Sequence, residues 1–187
     1  MTHAAELGPR AQTTAPDQVV EREGATVALL LFELATQRFA LAAADVVEVV
    51  RAVALRGLPN APPVVEGVIN LRGEAVPVLD IRARFGLPPK ALEVTDHFLI
   101  VSVGPRRIAL RVDRALMLHA LPALGIERAI NLPRGVEHLA GVAVLADELV
   151  LLHDVRAFLS EVESRQLTRA LVAAPAAEEP LAEERSA

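Results

Sequence analysis

Acid–base or nucleophilic chemistry in this chain of 187 residues would have to come from five histidines and very few hydroxyls. His3, His97, His119, His138 and His153 stand singly, with neither HExxH nor any other metal-ligand spacing. Ser102 is the sole serine between Ala25 and Leu159; it sits mid-strand in LIVSV without a GxSxG elbow, and so reads as structural. The lone lysine, Lys90, follows two prolines in LPPKAL and ends no glycine-rich loop, which leaves no P-loop. Asp147 and Glu148 are adjacent at a turn signal, and Asp80, Asp113 and Asp154 each follow an apolar run, as turn formation and strand termination require. Without cysteine, disulfides and thiolate metal sites are excluded as well. No catalytic, cofactor-binding or metal site is expected.

Two charges set among β-branched residues are more informative. In VVEVVR, Glu48 shares a strand face with Val46 and Val50; in VINLR, Arg72 shares one with Val68 and Asn70. A charge in such company must be paired or must lie at an interface, because burying it alone is costly. The pair is therefore either one stabilising ion pair or part of a docking groove. Pro59, Pro62 and Pro63 stiffen the approach to the second strand, which lowers the entropy lost when a surface is presented to a partner. Gly67 and Gly73 bracket that strand and are read as supplying backbone angles closed to other residues, with Asn70 satisfying nearby backbone.

The elements that must position these residues are short strands. Val27–Leu34, Phe39–Leu41 and Val46–Arg51 are apolar or β-branched runs; Val68–Arg72 and Glu74–Leu79 flank Gly73, with Pro77 pointing to an edge or bulge. Ile81–Phe85 reads as one helical turn stopped by Gly86 and Pro88. Phe98–Val103 and Arg106–Asp113 flank Gly104-Pro105, and Ala115–Leu121, Val142–Leu145 and Leu149–His153 complete the set, with Asp147-Glu148 turning the last pair. Periodicity leaves Ala115–Leu121 open between strand and helix. The pattern predicts an all-β fold of closed or sandwiched antiparallel sheets. Val155–Val172 places Phe158, Leu159, Val162, Leu167 and Leu171 near helical spacing, a stripe able to dock on the sheets. Residues 1–24 and 175–187 are polar or Ala/Glu-rich and are expected to be disordered, leaving a body over 25–160 and a helical extension over 161–174. No period of 20 to 50 residues is evident.

The acidic ends carry the whole formal charge of −5, and the body is balanced. That is not the basic footprint of a nucleic-acid binder, and there is no Trp or Tyr for base stacking. The apolar share is 52%, yet charges interrupt every run short of the ~20 residues of a bilayer span, and residues 1–24 contain no secretory h-region. A cytoplasmic protein without membrane insertion is expected.

Several segments, in order, resemble one family. LLLFELATQRFAL, AADVVEVVR, LPNAPPVVEGVINLRG, VPVLDIRARFGLP, LIVSVGPRRIALRVD and GVAVLADELVLLHDVRAFL are similar to the CheW family, the adaptors that couple bacterial chemoreceptors to the histidine kinase CheA. The resemblance spans most of Ala25 to Ser160. It implies two small intertwined five-stranded SH3-like β-barrels with a short helical turn between them and a C-terminal helix. It implies a non-catalytic adaptor whose partners are a chemoreceptor cytoplasmic tip and the regulatory domain of a CheA-like kinase, recruited to membrane-associated arrays. It associates Glu48 and Arg72, with Val46, Val50 and Asn70, with receptor docking. The alternative is a diverged module of a pilus, motility or other signalling array, or a competitor of the main adaptor. Two positions depart from the pattern: His153 stands where a third apolar residue is usual, and Leu139 where an aromatic is common. His153 is expected to cap a barrel end, a pH switch being the other reading.

Overall fold

Alternation separates the strands into two kinds, and the computed structural model, which describes residues 25–128, 138–145 and 148–174, shows why. β1 (Thr26–Leu34), β2 (Gln37–Ala42), β6 (His97–Val103) and β7 (Arg106–Val112) carry runs of consecutive buried residues, the mark of strands covered on both faces. β3 (Val46–Arg51), β4 (Val65–Leu71) and β10 (Leu139–Leu145) alternate buried or half-buried with more exposed positions, as strands with one wet face do. The remaining strands are β5 (Glu74–Asp80), β8 (Arg114–Pro122), β9 (Ile126–Arg128) and β11 (Glu148–His153).

They form two sheets. One has the order β8-β1-β2-β11-β10-β9, the other β3-β6-β7-β5-β4. Each sheet takes a hairpin from the opposite half of the chain: β1–β2 joins the late strands and β6–β7 the early ones. The halves are thus intertwined, and the mostly β, SH3-like pair of barrels expected above is the architecture found. β9, a three-residue sixth strand, was too short for periodicity to reveal. Ala115–Leu121 resolves to a strand, because its edge pairs with β1.

The two barrels repeat one another. β5 pairs in parallel with β7, and β11 in parallel with β2. β5 ends at Asp80 and β11 just before Asp154, and in each case the aspartate Oδ1 accepts from the N–H two residues on, Arg82 or Arg156, at 2.9 Å. A 310 turn follows in both, at Arg82–Phe85 and at Val155–Phe158. Gly67 and Gly141 correspond too: a Cβ would stand 2.5 Å from the Arg56 carbonyl oxygen in the first case and 2.7 Å from that of Glu127 in the second. Gly67 is therefore required by a close backbone approach and not, as its position at the start of a strand suggested, by a left-handed angle. Gly73, at φ 88°, does take that angle. The repeat is longer than a solenoid period of 20 to 50 residues, and identities such as Val68/Val142, Leu71/Leu145, Glu74/Glu148, Val76/Val150 and Asp80/Asp154 survive in it.

The described residues form three apolar cores. One fills the first barrel around Leu29, Ala143 and Val150; another fills the second around Ile69, Phe98 and Ile100. The largest lies between the barrels, where the outer faces of β1, β2, β6 and β7 meet around Phe32, Phe39, Leu99 and Leu110. Since this interface holds the largest core, neither barrel is an independent unit. Pro77, expected at an edge or bulge, sits in an interior strand opposite Val68, next to the β4 bulge between Val65 and Gly67. It precedes Val78, where pairing with β7 begins, so on that side its missing N–H forfeits no ladder bond.

The C-terminal helix α1 (Glu161–Ala173) starts at Ser160 in a capping box with Glu163. Burial opposes the Glu163 charge, but hydrogen bonds from Ser160 and the Arg84 guanidinium outweigh it and hold the carboxyl below its usual range. Leu167 and Ala170 enter the inter-barrel side, whereas Val162 is exposed, contrary to the expected stripe. The reason is the cap: the apolar phase set by Phe158 in the 310 turn does not run through the non-helical Leu159 and Ser160. Truncation after Ser160 is expected to lower Tm by about 5–15 °C, the loss of a buried leucine and its neighbours costing about 2–5 kcal/mol. A circular-dichroism melt checks this; an unchanged Tm would show the helix to be undocked.

Candidate functional site

The Glu48–Arg72 pair is made by closure of the second barrel. β3 and β4 are the two ends of their sheet, not neighbours in it. Beyond β3 the chain turns and Arg56 pairs with Val68 of β4, its N–H donating to the Val68 carbonyl at 2.9 Å and its carbonyl accepting at 2.8 Å. This seam brings Glu48 within reach of the β4–β5 turn. Arg72 Nη2 donates to Glu48 Oε2 at 2.8 Å; the arginine side chain is 76% exposed and the glutamate 20%.

Arg72 does not share a strand face with Val68 and Asn70, as its spacing suggested, because β4 ends at Leu71. Arg72 and Gly73 are the two central residues of a tight hairpin turn, with φ 54° and 88°. Two successive left-handed residues match the twist of the flanking strands. A non-glycine residue there is strained, and Asn70 supports the turn by accepting the Gly73 N–H on Oδ1 at 2.8 Å. A second ion pair, Arg107–Glu74 at 3.1 Å, ties the other side of the turn to β7. The rim is thus fastened to β3 and β7 at once.

Around the pair the valines divide differently from expectation. Val46 packs on the inter-barrel core and Val50 on the barrel interior, both half-buried. Val47 and Val49 are the more exposed, at 45% and 39%. A bulge between Val46 and Glu48 shifts the register against β6 and hence the faces. The exposed apolar surface beside Glu48 was therefore missed; its only signal was that all four residues are valine. Glu48 Oε1 is buried without a donor among the described residues. On the far side of β4, Pro62 and Pro63 form a turn in which Val65 N–H donates to the Pro62 carbonyl at 2.9 Å, Pro63 setting the φ of its first central position. The arrangement offers a preorganised rim with a cation, a half-buried anion and exposed valines. It is suited to protein contact, and nothing in it is arranged to transfer a group. Among the described residues no three His, Asp or Glu are grouped to hold a metal ion, and no helix is long and apolar enough to cross a membrane.

The departure at His153 has a structural consequence. The residue is only 3% exposed. Its ring lies 4.7 Å from that of Phe85, 5.6 Å from Phe39 and 6.1 Å from Phe158, in the packing between barrels instead of capping an open end. Nδ1 donates to the His138 carbonyl at 3.0 Å, which leaves Nε2 buried with no partner among the described residues. Burial pushes the imidazole down to about 4, only partly offset by the His138 carbonyl. Because the unfolded histidine titrates near its ordinary value, stability is full above about pH 6.5 and falls as pH drops toward 4, by up to about 3 kcal/mol. Replacing His153 with leucine is expected to flatten this window in urea melts from pH 7 to 4; an unaltered slope would assign the acid sensitivity elsewhere.

Proteins similar to this chain include chemotaxis CheW proteins and a CheW scaffolding protein of known structure. The CheW-like domain matches residues 28–163. The chain is 26% identical to the chemotaxis protein CheW of Treponema pallidum (strain Nichols) over 145 residues, covering 74% of this chain and 85% of the relative. It is 27% identical to that of Klebsiella aerogenes over 138 residues, covering 72% and 82%. The crystal structure of scaffolding protein TtCheW from Thermoanaerobacter tengcongensis superposes with a TM-score of 0.68 at 25% identity, over 74% of this chain and 96% of that one.

Proposed function

Since this chain belongs to the CheW family, we propose that it is a non-catalytic adaptor joining chemoreceptors to a CheA-type histidine kinase in a bacterial chemosensory array. The observation that carries the reading is the rim of the second barrel, where Arg72 stands exposed on a rigid turn, paired to Glu48 and next to Val47 and Val49. The receptor's cytoplasmic tip docks there, on Glu48, Arg72, Asn70 and the flanking Val46 and Val50, while the kinase's regulatory domain takes a separate surface. Gly67, Gly73, Pro62 and Pro63 hold the rim in shape. In this reading residues 25–160 form the adaptor unit and 161–174 an extension braced on it. The protein works in the cytoplasm and is recruited to the membrane through the receptor.

Preorganisation supports this assignment: a turn fixed on both sides loses little entropy when it binds. Co-sedimentation with receptor-containing membranes and kinase is the direct test. Recovery of all three in one pellet is expected, and a chain that remains in the supernatant with both partners present would sink the proposal. The adaptor role also requires that the purified protein neither hydrolyse ATP nor take phosphate from a phosphorylated kinase. A stoichiometric acid-labile phosphoryl group on this chain would replace the adaptor with a phosphotransfer component.

A further inference from the structure

The internal repeat exposes an asymmetry that the fold does not demand. By the parallel registers, Arg111 of β7 corresponds to Ala42 of β2, and Glu66 of β4 to Ala140 of β10. The first barrel thus closes this end with alanines. The second closes it with a buried ionic network: Arg111, 2% exposed, bonds to Glu66 and to Asp96, itself fully buried, the latter at 3.3 Å. Arg111 Nη2 also donates to the Lys90 carbonyl at 2.5 Å. Lys90, the chain's single lysine, bonds to Asp96 at 2.7 Å and to Asp113 at 3.0 Å. What these groups grip is the segment 86–96 between the 310 turn and β6, which has no strand or helix of its own.

Asp113 is the shared member. It lies between β7 of one sheet and β8 of the other, and its carboxylate accepts from Lys90, from Arg82 and, at 2.7 Å, from the N–H of Ala35. Ala35 and Thr36 form the β1–β2 turn of the first barrel and have φ 47° and 69°. A threonine at such an angle persists only where its surroundings hold it. Burial opposes the Lys90 charge, but Asp96, Asp113 and Glu93 outweigh it and keep the ammonium up at about 12, so the grip is present throughout the physiological range.

We propose that segment 86–96 is a strap latched by Lys90 and Arg111, and that Asp113 couples its latched state to the strained Ala35–Thr36 turn of the other barrel. Release of the strap loosens a turn it does not touch, which makes the strap a conformational link between the two barrels. The test is hydrogen exchange read by NMR on the full chain carrying Lys90→Met, which keeps the stem and removes the charge. Amides of 86–96 and those of Ala35 and Thr36 are expected to exchange at least about tenfold faster while the β6 and β7 amides do not, with Lys90→Arg restoring protection at both places. Faster exchange of the strap alone, or no change in either segment, would overturn the coupling. A uniform rise across both sheets would reduce the network to general stabilisation and equally overturn it. Should Lys90→Met fail to fold, the double variant Glu66→Ala/Arg111→Ala, which installs the first barrel's own residues, is read by the same criteria.

Discussion

Replacing Arg72 with alanine is expected to weaken receptor coupling by roughly 10- to 100-fold while leaving the fold in place, the loss of one charge-assisted interface bond costing about 1.5–3 kcal/mol. The stability change should stay below about 1 kcal/mol, because the Glu48 pair is exposed on the arginine side and solvent screens it. Arg72→Gly separates the two roles more sharply. Glycine relieves the left-handed strain of the turn, so this variant should be no less stable than the parent yet equally poor at coupling. Glu48→Ala should resemble Arg72→Ala in binding, and the double variant should lose less than the sum. Receptor pull-down titrations and urea melts on the parent and the four variants provide both readouts. Unchanged receptor binding in each single variant, with coupling seen only in stability, would leave Glu48 and Arg72 as a structural ion pair and remove the rim from the docking surface.

Asp113→Ala should have the largest effect on stability. It strands the Arg82 guanidinium, whose side chain is 5% exposed, takes one of the partners from Lys90, and frees the Ala35 N–H. Breaking a buried pair from one side costs about 3–5 kcal/mol, since the remaining charge is left unsolvated. That corresponds to a fall in Tm of about 6–20 °C for a chain of this size. The aspartate's own titration points the same way. Burial raises its pKa, but the Ala35 N–H, Arg82 and Lys90 outweigh that and hold the carboxyl below its ordinary value. Its contribution is therefore present at neutral pH and lost as acid protonates the folded carboxylate. Asp113→Asn, which keeps an acceptor without the charge, should fall between parent and alanine. A thermal shift of a degree or two for Asp113→Ala would show that Arg82 and Lys90 find other partners.

How much of this was legible beforehand differs from one residue to the next. Strand positions could be read because a period of two and the glycine and proline turns are local properties, and Val46–Arg51 fell where alternation put it. Absence of catalytic motifs was likewise a matter of residue type and spacing. The family resemblance rested on many segments in order, and the CheW-like match over residues 28–163 agrees with it. Arg72 was misplaced by a single residue, yet in a hairpin that is the difference between a strand face and an exposed turn. The helix stripe through Val162 failed because a cap resets helical phase and periodicity does not see caps.

What residue order by itself determined is the set of short strands, the turns that separate them, and the presence of two charges among valines that had to be paired or presented. Tertiary structure alone decided that hairpins β1–β2 and β6–β7 exchange between halves, that Glu48 meets Arg72 across a barrel seam, and that Lys90, Arg111 and Asp113 converge at one junction. The physical reason is the range of the forces concerned. Backbone preference and alternation act over a few residues, whereas strand partners and ion pairs such as Glu48–Arg72, 24 residues apart, and Arg84–Glu163, 79 apart, are selected only when the cores close and bring their charges out of water.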